Sequence, residues 1–150
     1  MAFQVGSAVA DITPRSPCHL AGYGARDHAH EGVHDPLSVR GFYVRTDQGE
    51  ALVFSADILW YSEQMIARIA SALEGKMNIP PLHMQFCGTH THSAPDVKNE
   101  ANGEWIQLVE AQTGGYEVRV SPYAETAEAV LHQGFIDLVH ALDSPADASG

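Results

Sequence analysis

The sequence is poor in several things, and each shortage narrows its function. It has two cysteines in 150 residues, Cys18 and Cys87, too few for a disulfide framework. It has 8 Lys and Arg against 19 Asp and Glu, a net charge of −11. Such a surface repels phosphate backbones and anionic membrane surfaces, which excludes nucleic acid and charge-driven lipid binding as the primary role. No apolar run approaches the ~20 residues of an integral membrane segment. The opening MAFQVGSAVADITP lacks a basic stretch followed by a long apolar one, so it does not read as a secretory signal. The expected location is cytoplasmic, with secretion left open. No internal repeat and no low-complexity segment occurs.

What is present fits one globular domain spanning 1–150. Hydrophobic residues make up 45% and charged residues 18%, a globular balance. A chain this long can bury roughly two-thirds of its unfolded surface, enough for a real core. Phe3 to Ala10 reads as a strand ended by ADITP, and Val39 to Arg45 as a second. Asp47-Gln48-Gly49 is a hairpin turn signal. The run ALVFSA, Ala51 to Ala56, predicts a strand covered on both faces. Ser62 is an N-cap candidate, with Glu63 in the first turn. Met65, Ile66, Ile69, Ala70 and Leu73 stripe one helix face until Gly75 and Pro80-Pro81 stop it. Leu82 to Cys87 predicts a strand and Trp105 to Ala111 a short helix. Ser121-Pro122 then opens a long helix striped by Leu131, Phe135, Leu138 and Leu142. Strands alternating with helices, plus an early hairpin, predict an α/β fold: a mixed β-sheet layered with helices, its site at strand carboxyl ends.

Histidine is abundant, with nine residues. His19, His28, His30 and His34 fall in the glycine-rich stretch 18–37, where no periodicity survives. A long loop of that kind is usually functional or disordered. His90 and His92 stand in CGTHTHSAPD, straight after a predicted strand, and Asp57 closes another. In an extended backbone the two imidazoles would share one face, with Cα atoms ~6.5–7 Å apart. Such a pair can begin a metal site, although a catalytic zinc usually takes three protein ligands. Asp57 and His34 are local supplements. The competing reading is a polar turn whose Thr and Ser residues satisfy the backbone. His132 and His140 read as structural or exposed positions on the long helix. Cys87 reads as packing, not nucleophile. Ser93 lacks an elbow motif, so no serine-hydrolase triad is indicated.

VGSAVADITP, LAGYGAR, EGVHDPLSVRGFYV, LVFSADIL and IPPLHMQFCGTHTHSAPD occur in that order. The series resembles the N-terminal domain of the neutral/alkaline non-lysosomal ceramidase family, from about Phe3 to Asp96. The resemblance implies a zinc-dependent amidase that cleaves the N-acyl bond of ceramide, with zinc polarising the carbonyl and activating water. It implies a zinc ligand at His90 and a catalytic group at His92 in the same site. Asp57 is the implied acid at the end of its strand. Gly22, Tyr23 and Gly24 form the implied site loop, with His34 beside it. Family members are several hundred residues long, and their remaining ligands come from later segments. The expectation is therefore a short or truncated member with an incomplete site, active on a lipid amide only when a second chain or an oligomer completes it. The alternative is a non-catalytic remnant or docking domain. Metallo-β-lactamase and amidohydrolase folds also use His-x-His, but the residues after His92 and the chain length fit them less well.

Overall fold

The computed structural model describes residues 4–77, 79–120, 127–131 and 138–141. Four strands form the first sheet, in the order β1-β2-β3-β4. They are β1 (Gln4–Asp11), β2 (Ser38–Thr46), β3 (Gly49–Ala56) and β4 (Met84–Gly88). β1, β2 and β3 pair antiparallel, and β4 joins β3 in parallel. A parallel neighbour needs a crossover, which helix α1 (Glu63–Glu74) supplies. Helix α2 (Gly103–Gly114) follows β4. The arrangement is α/β with a mixed sheet, as the alternation of strands and helices predicts.

Both helices lie on one face of the sheet. Ala8, Ala10, Val39, Tyr43, Leu52, Phe54, Ala56 and Met84 are the strand residues in the core. They pack with Met65, Ile69 and Leu73 of α1 and Trp105 and Val109 of α2. Ser62 caps α1 as expected, accepting the Met65 N–H at 3.2 Å. Arg68 of α1 donates to Glu110 of α2 at 2.8 Å. Trp105 Nε1 donates to the Ile12 carbonyl at 2.6 Å, tying α2 to the end of β1.

Two sequence expectations fail, each for a physical reason. The run ALVFSA is not covered on both faces. Leu52 and Phe54 are fully buried, but Val53 is 37% exposed, and Phe42, its cross-strand partner, is 43% exposed. Helices cover only one face, so the strand alternates despite an apolar sequence. The long helix striped by Leu131, Phe135, Leu138 and Leu142 is also absent where the structure describes it. Ala127–Leu131 is strand β6 and Leu138–Ala141 is strand β7, in a second sheet β5-β6-β7 that starts with β5 (Tyr116–Val120). In the backbone register Leu131 pairs with Leu138 across β6 and β7, and Tyr116 with Leu131. Pairing between distant segments wins over local periodicity there. His140 is a strand residue, while Ser121, Pro122, His132, Phe135 and Leu142 lie outside the described residues. Among the described residues no helix is long and apolar enough to cross a membrane.

Candidate active site at the carboxyl ends of two parallel strands

β3 and β4 run side by side, and both end at the same edge of the sheet. The backbone beyond them is tightly crossed. Thr89 N donates to the Ala56 carbonyl at 2.9 Å and His90 N to the Ile58 carbonyl at 3.0 Å. Gly88 permits this crossing, since a Cβ there would lie 2.9 Å from the Ile58 carbonyl oxygen.

His90 is not extended, so the condition under which simple strand alternation would align the two imidazoles is not met. It has φ +65°, the one positive φ among the described non-glycine residues. That left-handed conformation costs a non-glycine residue roughly 1–2 kcal/mol, and such strain clusters at functional sites. Its Nδ1 lies 3.1 Å from the Leu59 carbonyl. A carbonyl only accepts, so Nδ1 carries the proton and Nε2 is left as a free donor atom. Orientation of one ring nitrogen by a carbonyl is the usual support for a metal-ligating imidazole.

His92 still meets His90, because the turn brings its ring back. Their centroids are 5.4 Å apart at 77°. His92 Nδ1 is buried with no hydrogen-bond partner. A buried orphan acceptor is better tolerated than a buried orphan N–H, so the ring proton belongs on Nε2. Gly22, at φ +92°, covers this nitrogen so closely that any Cβ there would overlap the ring. Tyr23 also packs on the ring, tilted at 59° with 5.3 Å between centroids.

The 18–37 loop is held over the strand ends by backbone bonds. Ala21 N donates to the Ala94 carbonyl at 2.9 Å and Asp96 N to the His19 carbonyl at 2.8 Å. Asn102, 2% exposed, fastens both segments. Its Nδ2 donates to the carbonyls of His19 and Asp96 at 2.8 and 2.9 Å, and its Oδ1 accepts the His19 N–H at 3.0 Å. Nothing near Asn102 in the sequence marks it for this, because its partner His19 is far away in the chain. His30 Nδ1 accepts the Cys18 N–H at 2.9 Å, which makes that histidine a loop fastener. Burial pushes the Cys18 thiol up, with Glu104 adding to it, so that thiol is unreactive near neutral pH.

Of the sequence candidates, His90, His92, Gly22 and Tyr23 come together. Gly24 sits in open space. Asp57 and His34 line one groove with Thr91 and Ser93, about 530 Å³ in volume, a size typical of small-molecule sites (roughly 300–1,000 Å³). His34 is exposed. Its hydrogen bond to Asp35 at 2.8 Å, with that carboxylate's charge, raises its pKa above the ordinary histidine value. Asp57 is heavily engaged: Ser38 N and Oγ donate to Oδ2 at 3.0 and 2.9 Å, and Arg40 approaches at 3.3 Å. Burial pulls the Asp57 pKa up, but the Ser38 bonds and Arg40 outweigh it and hold the carboxyl below its ordinary value.

That depression fixes the pH dependence of Asp57's contribution. It is present in full above the unfolded value of about 3.9 and drains away as pH falls from there through the lower folded value. Asp57→Ala should cost about 2 kcal/mol at neutral pH, the range for bonds to a charged group. Urea unfolding should show the gap from wild type closing in acid.

Zinc is the metal implied by the sequence, and the donor set tests it. The described residues offer two imidazoles, with Nε2 of His90 unengaged. Among them no group of three His, Cys, Asp or Glu converges, and three protein ligands is the usual catalytic minimum. The described residues alone therefore do not close a zinc site.

No family model matches the sequence, and no curated protein matches it. Solved structures do. The crystal structure of neutral ceramidase from Pseudomonas aeruginosa matches with a TM-score of 0.55 and 20% identity, over 63% of this chain and 16% of that one. A ceramidase complexed with C2 matches with a TM-score of 0.52 and 20% identity, over 63% and 15%. The chain thus spans under a fifth of the length of the structures it matches. What it shares with these neutral ceramidases is the fold of that part.

Proposed function

We propose that this chain carries the zinc-binding half of a ceramidase-type amidase site, directed at the N-acyl bond of a lipid amide. The observation that supports it is His90: a strained backbone, Nδ1 committed to the Leu59 carbonyl, and Nε2 free beside a second imidazole. His90 is the metal ligand in this reading. His92, with its proton on Nε2, is the hydrogen-bond donor to the amide, and Tyr23 with Gly22 holds its ring in place. Asp57 stays ionised in the groove wall, and His34 lines the groove. Zinc would supply a polarised carbonyl and an activated water when bound. The remaining ligands in this reading come from outside the described residues.

A second reading is favoured by the open face of the sheet. Val5, Val9, Phe42, Val44 and Val53 alternate onto it, and its described charges are Arg40, paired with Asp57, and Asp11 at the end of β1. The occupant in this reading is a second polypeptide that carries the rest of the matched fold, and the chain is then a docking domain without chemistry of its own.

Zinc titration, sedimentation and a short-chain ceramide assay on the same samples separate the readings. The half-site reading expects weak zinc binding by the monomer, and hydrolysis that rises with association. Association with neither zinc binding nor hydrolysis would favour docking and sink the amidase assignment.

A further inference from the structure

Arg26 ends the turn that begins at the left-handed Gly22. Its N–H donates to the Tyr23 carbonyl at 2.9 Å. Its guanidinium carbon lies 5.1 Å from the centre of the Tyr23 ring, and that ring packs at a tilt against His92. A cation over an aromatic face is a favourable contact, but it leaves the N–H groups unsatisfied. Nη1 is buried and has no hydrogen-bond partner. An unpaired buried donor costs on the order of 1–3 kcal/mol, more when charged.

The unpaired state is unusual in this chain, where acids outnumber bases more than two to one. Arg40, Arg45 and Arg68 each meet a carboxylate within 3.3 Å. Arg26 meets none among the described residues, although Asp27 is its chain neighbour. The guanidinium fork matches a planar carboxylate, and such bonds are among the strongest in proteins. Arg26 is linked to His90 through the rings of Tyr23 and His92, so it addresses a different part of a bound molecule from the reacting carbonyl.

We propose that Arg26 is a specificity residue that binds a carboxylate carried by the substrate. The preferred substrates are then acidic amides, N-acyl amino acids for instance, over uncharged ones. The inference rests on the amidase reading of His90 and His92 for its chemistry, but not for its binding. The carboxylate would pair with the solvent-facing part of the half-buried guanidinium while Tyr23 holds its plane.

The test uses N-hexanoylglycine and its methyl ester, which differ only in the charge. Calorimetric titration with no zinc added should show the acid binding about tenfold more tightly than the ester, the size of one charge-assisted contact. Arg26→Met, which keeps much of the packing on Tyr23, should erase the preference. Arg26→Lys should keep part of it. Equal binding of acid and ester by wild type would overturn the inference, as would a preference that survives in Arg26→Met. If the preference behaves as expected but neither compound is hydrolysed with zinc present, the carboxylate site stands and the amidase reading falls for them. If both are hydrolysed at equal kcat/KM, the amidase reading stands and the role of Arg26 falls.

Discussion

His90→Ala should lower zinc affinity by about 100-fold or more and remove amide hydrolysis with it. Loss of a supporting group around a metal ligand already costs 10–100-fold, and here the ligand itself goes. A single imidazole would remain, His92, whose ring proton the burial of Nδ1 places on Nε2. The left-handed backbone makes stability a second, independent readout. Alanine at φ +65° keeps the strain and loses the bond to the Leu59 carbonyl. His90→Gly loses the same imidazole but releases the strain, so it should be more stable than His90→Ala by about 1 kcal/mol. Both variants should be equally inactive. Competition for zinc with a chelator measures the first effect and urea unfolding the second. Unchanged zinc affinity in both variants would remove His90 from the metal site, and a glycine variant no more stable than the alanine one would remove the strain.

The pattern of what could be read in the sequence follows from which interactions are local. Helix α1 was legible because its cap, first-turn acid, apolar stripe and terminating glycine all lie within fifteen residues, and each acts on its neighbours. The hairpin β2–β3 was legible from the turn between Thr46 and Gly49. His90, His92, Gly22 and Tyr23 were legible as short motifs, and the structure brings all four into contact. Four kinds of feature were not legible. Whether the second face of β3 is covered depends on where helices pack, and an apolar run carries no record of that. Strands β6 and β7 depend on pairing with β5 and with each other, so a leucine spacing that suits a helix misled. Asn102 and Arg26 act through partners or through the lack of them: Asn102 fastens a loop more than eighty residues away, and Arg26 stands out because it has no acid in reach. The left-handed turn at His90 is a fourth case, since an extended chain and a turn both bring the imidazoles together.

The contact between Gly22 and His92 yields the second large effect. In Gly22→Ala the new methyl would overlap His92 Nδ1 and fall 2.5 Å from Cγ and 2.7 Å from Cε1. Neither partner can give way cheaply. The ring is in contact with both Tyr23 and His90. The loop is held by Ala21 on the Ala94 carbonyl and by the Asn102 bonds. The backbone adds its own penalty, because φ +92° is a conformation that alanine resists. Strain of roughly 1–2 kcal/mol and overpacking of roughly 1–3 kcal/mol give a loss of about 3 kcal/mol in urea unfolding. The functional loss should be larger than the instability explains. Under the proposed amidase reading, displacing the His92 imidazole by about 1 Å costs on the order of 100-fold in rate, so turnover at full folding should fall by about that factor. Gly24→Ala is the matched control: a Cβ there meets nothing within 4 Å, so stability should stay within about 0.5 kcal/mol of wild type. If Gly22→Ala proved as mild as Gly24→Ala in both measurements, the loop would not be what positions His92, and the constellation of His90, His92 and Tyr23 would have to be held by the strand ends alone.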